Sequence, residues 1–198
     1  DMSPSTLTTG IVDCIAAKDA LDKARNTRAL VAEWRDGNIT EIGESAPPDR
    51  PGRPLLPELR PPRDVPKRRI TGGVAGRVAL IHAIAHIELN AIDLALDMAC
   101  RYADTDLPRA FFDDWLGVAD DEARHFLMLN DRLAKLDASY GDLPAHDGLW
   151  QAAQETAHDL LARLAIAPLV LEARGLDVTP AMIGRCLLYT SDAADDTP

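Results

Sequence analysis

Residues 74–102 read VAGRVALIHAIAHIELNAIDLALDMACRY, and this stretch decides the fold. Val78, Ile81, Ile84, Ala85, Ile92 and Ala95 recur at intervals of three and four, the period that lines one face of an α-helix. Thr71, Gly72 and Gly73 precede the run, and Asp104 to Pro108 breaks it. The spacing therefore predicts one long helix from Val74 to about Tyr102.

Downstream, Pro108 suits a first helical turn, and Phe111 to Leu136 resumes the same period as a second long helix. Tyr140 to Gly148 is rich in turn residues and reads as a loop. Leu149 to about Arg174 predicts a third amphipathic helix, with a kink at Pro168 and a stop at Gly175. A fourth helix begins near Asp177, where Thr179 can cap and Pro180 can occupy the first turn. Upstream, Ser5 to about Trp34 reads as a helix or helical pair ending at Gly37. Eight prolines between Pro47 and Pro66 exclude both a helix interior and a central strand, so this is an extended strap. The expected organisation is an N-terminal helical segment over 1–46, a proline-rich strap over 47–73, a partial helical bundle over 74–185, and a distinct tail over 186–198. An all-α, four-helix bundle interrupted before most of its fourth helix follows from this order.

Composition agrees with that class. The 198 residues suit one ordinary domain, and 46% hydrophobic residues with only 5% aromatics favour helices over a β-sandwich. A net charge of -11 argues against general nucleic-acid binding, since such a surface repels phosphates. The basic run Arg60, Arg63, Lys67, Arg68 and Arg69 lies among prolines and reads as a solvated linker. Three widely spaced cysteines, Cys14, Cys100 and Cys186, form neither a disulfide framework nor a CxxC site, which points to a reducing, cytoplasmic setting. No stretch reaches the roughly 18 unbroken apolar residues of a membrane span, so a soluble protein without a membrane partner is expected.

The chemistry is expected at Glu122-Ala-Arg-His125. A three-residue offset turns the second side chain by about 300°, so carboxylate and imidazole share a face. The stripe around them, Trp115, Val118, Ala119 and Leu129, is apolar, which would bury the pair unless it lies at the stripe's edge. Glu88 lies eighteen residues before Asp106 and Glu122 sixteen after it. In an antiparallel pair turning near Asp106 the two carboxylates would stand at one height. Carboxylates and imidazole together suit iron or manganese, whose charge offsets the burial. The rival reading places these acids at solvated margins.

Several strings resemble one family. His82 to Asp97, Asp114-Trp-Leu116 and Asp121-Glu-Ala-Arg-His125, together with Tyr140 to Trp150 and Val170 to Pro180, are similar to the ferritin-like family catalogued as domain of unknown function 455, over about residues 10–185. The resemblance implies a four-helix di-metal carboxylate site, with one Glu from each of two helices and a Glu-x-x-His from each of the other two. Glu88 then matches the first-helix ligand, Glu122 and His125 the second-helix pair, and Glu172 the third-helix ligand. The fourth-helix pair would lie beyond Arg185. There the stretch Cys186 to Asp195 resembles the translation of a sequencing adapter, and the tail is expected to be non-native. The implied function of the intact protein is a di-iron oxidase or oxygenase. Its two iron ions, or manganese, would act with dioxygen on an unknown small molecule; a modified RNA remains open as substrate. A non-catalytic iron-binding or stress-protective bundle and a purely structural helical module are the alternatives. The chain as it stands is expected to load metal weakly, to be inactive, and to self-associate through uncovered apolar stripes.

Other groups imitate a site. Glu155-Thr-Ala-His158 repeats the spacing but stands seventeen residues from Glu172, about 25 Å along a helix. His82 and His86 sit one turn apart, yet His86 points about 200° around the helix from Glu88, which favours a packing or supporting role. His146, beside Asp147, is expected to cap the entry to the third helix.

Overall fold

The computed structural model describes residues 4–65, 73–103 and 106–164. The chain divides into two compact units, Asp1–Glu155 and Thr156–Pro198. The described part of the first is mostly helical, with α1 at Leu7–Ala16, α2 at Ala20–Arg35, α3 at Val74–Arg101, α4 at Arg109–Ala134 and α5 at Gly148–Glu155. Two strands, β1 at Leu59–Arg60 and β2 at Ala145–His146, complete it as a parallel ladder pairing Leu59 with Ala145 and Arg60 with His146.

The N-terminal segment is a pair of helices because its junction carries its own start signal. Asp19 caps α2, its carboxylate accepting from the Asp22 N–H at 2.9 Å, as Thr6 caps α1 by accepting from Thr9.

The decisive stretch forms α3, 28 residues and so about 42 Å long. From Leu89 to Cys100 every residue is buried, which makes α3 the central element, packed most extensively against α4 and also against α1, α2 and α5. Among the described residues α3 is the one helix long and apolar enough to cross a membrane, but its apolar surface is mostly covered by protein. Buried alanines line the α3–α4 contact, Ala85 and Ala95 on one side, Ala119 and Ala123 on the other. Small side chains there let the two helices approach closely.

On α4 the structure corrects the expected stripe. The buried positions are Phe112, Leu116, Ala119, Ala123, Phe126 and Leu133, spaced as a seven-residue seam. Trp115 and Leu129 are half-buried and Val118 is 41% exposed. Phe112, Leu116 and Phe126 turn inward in their place, rotating the apolar face and leaving Glu122 and His125 at its edge.

The strap and the residues leading into it close over the helices through their backbone. Leu7 and Thr8 donate to the carbonyls of Glu41 and Ile42, Gly52 donates to Ile15 at 2.9 Å, and the Trp150 indole donates to Asp49 at 3.0 Å. Glycine is needed at 52 because a Cβ there would run into the Ala16 carbonyl. Arg60 and Arg63 pair with Glu58 and Asp64 at the surface; Lys67, Arg68 and Arg69 lie outside the described residues.

The third helix is also corrected. Instead of running unbroken from Leu149, α5 ends at Glu155, residues 156–158 form a turn, and helix resumes over 160–164. The Asp159 carboxylate accepts from the N–H groups of Leu161 and Ala162 at 2.8 and 3.2 Å, a cap that restarts the helix. The expected kink at Pro168, the stop at Gly175, the fourth-helix start and the tail all lie outside the described residues.

Candidate metal centre

Glu88 on α3 and Glu122 and His125 on α4 come together. One ligand atom from each, two carboxylate oxygens and an imidazole nitrogen, lie within 4.8 Å of one another. His125 Nδ1 stands 3.3 Å from Glu122 Oε2 and 3.6 Å from Glu88 Oε2. The connection over residues 102–108 is short, so side chains equally distant from it meet across the helix pair. Glu172, the fourth ligand implied by resemblance, lies outside the described residues.

Side-chain exposure grades outward, from 17% at Glu88 through 26% at Glu122 to 42% at His125. The trio thus sits at the lip of the α3–α4 seam. Among the described residues neither carboxylate is in direct salt bridge with a lysine or arginine; the nitrogen nearest both is His125 Nδ1. Burial pushes the Glu88 carboxyl up to about 9, aided by a hydrogen bond to Glu122 and by the charge of that carboxylate. The shift favours the protonated form of Glu88, where like charges would otherwise face each other. The donor set fits a divalent first-row cation: a cation about 2.1 Å from each ligand needs the three atoms only slightly closer than they stand. Iron or manganese placed there would be held by Glu88, Glu122 and His125.

The imitators resolve differently. His86 Nε2 donates to the His146 carbonyl at 2.8 Å, and Nδ1 accepts from the Tyr140 hydroxyl at 2.9 Å. Burial lowers its pKa to about 4, so the ring is neutral with both nitrogens engaged. His82 accepts from the Gly141 N–H through Nε2 at 3.0 Å and stacks on Tyr140. The two imidazoles hold the α4–α5 loop against α3, the packing role favoured for them. His146 Nδ1 accepts from the Gly148 N–H at 3.3 Å, at the first residue of α5. Glu155 and His158 are separated by the end of α5, so the spacing that would have aligned them on one helical face is broken. Cys14 and Cys100 are buried free thiols, each pushed up to about 12, chiefly by burial. Such thiols are poor nucleophiles and poor ligands. Cys186 lies outside the described residues.

Sequence reasoning missed a second polar cluster on α3. Asp93, fully buried, receives the Lys23 ammonium at 2.7 Å and also the Arg53 guanidinium. Lys23 spends its other two donors on the carbonyls of Ile15 and Gly52, and Arg53 donates to Asn90 Oδ1 at 2.8 Å. Burial lowers the Lys23 pKa, and the neighbouring Asp93 opposes that shift. The cluster ties α2 and the strap to α3. Its signal was present: His82, His86, Asn90, Asp93 and Asp97 follow one another at intervals of four, four, three and four, a polar stripe on an otherwise apolar helix.

A family model described as a protein of unknown function (DUF455) matches residues 16–194. The match runs past Arg185 into the stretch expected to be non-native. An uncharacterized protein of Haemophilus influenzae is 51% identical over 134 residues, covering 65% of this chain and 46% of the relative. The chain thus spans about half the length of this curated relative. No solved structure matches.

Proposed function

Because the chain belongs to the DUF455 family, whose function its description leaves open, we propose from the site itself that this is a helical carboxylate protein binding divalent iron or manganese. One observation carries the reading: two carboxylates and an imidazole converge within 4.8 Å, and among the described residues neither carboxylate is in direct salt bridge with a lysine or arginine. Half-buried acids that lack a cationic side chain are stabilised by a proton or by a metal ion.

In the finer form of this reading the intact protein is ferritin-like, Glu172 adds a third carboxylate, and a further Glu-x-x-His completes a two-metal centre. Iron held there would supply activation of dioxygen for oxidation of a small molecule, as in an oxidase or oxygenase. The protein's own groups do the rest. Glu122, next to both other ligands, would hold the cation together with Glu88 and His125, and the seam of Phe126, Ala123 and Ala119 would keep water from one side of the site. A second reading, reversible iron binding without oxidation, draws on the 42% exposure of His125, which leaves a ligand open to exchange.

The test is anaerobic titration of the full chain with Fe(II) and Mn(II), followed by dioxygen consumption with and without candidate substrates. Glu122→Ala should abolish specific binding. Equal affinity in wild type and variant would end the assignment, and binding without oxygen uptake would favour the second reading.

A further inference from the structure

Both ring nitrogens of His125 are engaged. Nδ1 faces the carboxylates, whereas Nε2 lies 3.2 Å from Arg124 Nη2. A guanidinium nitrogen only donates, so this contact requires Nε2 to accept, and of the two tautomers the geometry selects the one with its proton on Nδ1, donated to Glu122 Oε2. In that tautomer the nitrogen nearest Glu88 and Glu122 has no lone pair to offer a cation. Arg124 is itself steadied within its helix. The same Nη2 stands 3.4 Å from Asp121 Oδ1, and Nη1 lies 3.7 Å from Met128 Sδ.

We propose that Arg124 is a positioning residue that holds His125 in its non-coordinating tautomer, so that a cation enters the Glu88–Glu122–His125 site only as Arg124 moves away. This rests on the cation reading above. When His125 coordinates through Nδ1, its proton passes to Nε2, and the ring's proton count does not change. The Nε2–H then faces the Arg124 N–H, donor against donor, and that contact is lost. Arg124 is 47% exposed, so water can accept its freed donors. Its charge acts in the same direction, repelling an incoming cation across a short distance.

Three versions of the full chain test this: wild type; Arg124→Gln, whose amide oxygen can accept from Nε2–H; and Arg124→Lys, which keeps both the charge and a donor-only group and so should keep the wild-type tautomer. The tautomer is read from the imidazole nitrogen shifts in metal-free protein with chelator present, and affinity by titration with Co(II) and Mn(II). The expected result is Nδ1–H in wild type, a shift toward Nε2–H in Arg124→Gln, and about 3- to 10-fold tighter Co(II) binding by that variant. Nε2–H already present in wild type, or an unchanged tautomer in Arg124→Gln, would overturn the proposal. So would a Lys variant that shifts the tautomer yet binds Co(II) as weakly as wild type, since charge alone would then account for the effect. If the tautomer shifts as expected but no version binds either cation, the cation reading itself fails and the role of Arg124 fails with it.

Discussion

Helix α3 carries two polar clusters on different faces, and they are built to opposite rules. On the strap side Asp93 is fully buried, yet Lys23 and Arg53 supply two cations to its one charge and the ammonium's remaining donors meet carbonyls. On the α4 side Glu88 and Glu122 meet each other and a half-exposed imidazole, and Glu88 is pushed toward its protonated form. The first is complete and works as a fastener. In the second neither carboxylate is directly paired with a lysine or arginine, Arg124 reaching only the far nitrogen of the imidazole, and on the proposed reading a metal ion would supply the missing charge. Burial of acids does not distinguish structure from function here; the balance of charge around them does.

The largest effect should come from breaking the fastener. Asp93→Ala leaves Lys23 buried without its partner and should destabilise the protein by about 3–5 kcal/mol, measured by urea unfolding. A loss under about 1 kcal/mol would mean that water reaches the cluster and that the contrast drawn above is unsound.

Glu88→Gln probes the other face with the opposite sign. The Glu88 carboxyl is held near 9 in the folded chain against 4.5 for an ordinary glutamate. Its contribution to stability is therefore complete below about pH 4.5 and is lost as pH rises through 9, because over that window the unfolded chain ionises first. In chelator at pH 7 the variant should be more stable than wild type, on the order of 1–2 kcal/mol after allowing for partial exposure, and its stability should vary less with pH. A less stable variant with an unchanged pH slope would show that the carboxyl pair carries no strain. Smallest of the three, Tyr140→Phe keeps the ring against His82 and Phe126 but removes the hydroxyl that donates to His86. It should cost about 0.5–1.5 kcal/mol by thermal unfolding and leave cation affinity untouched. A change in affinity would show that the two faces of α3 communicate.

Much of this was legible in one dimension. The three- and four-residue period of 74–102 gave α3 to within a residue of its end, the eight prolines gave the strap, and counting outward from Asp106 placed Glu88 level with Glu122. Periodicity failed where apolar residues were too many to choose among. On α4 Trp115, Val118 and Leu129 were as eligible for the core as Phe112, Leu116 and Phe126, and only packing against α2 and α3 rotated the helix to favour the second set. It failed again at Glu155, where a cap two turns' length from any proline or glycine broke a predicted helix.

The sequence by itself determined which segments are helices, which residues share a helical face, and at what height the acids stand, because these depend on the fixed rise and turn of the backbone. Tertiary structure alone decided that Asp93 would pair directly with two cationic side chains while Glu88, among the described residues, meets no lysine or arginine directly, and that His125 would lie at the lip of the seam rather than beneath it. Those outcomes depend on which distant side chains share a low-dielectric space, and no local spacing encodes that.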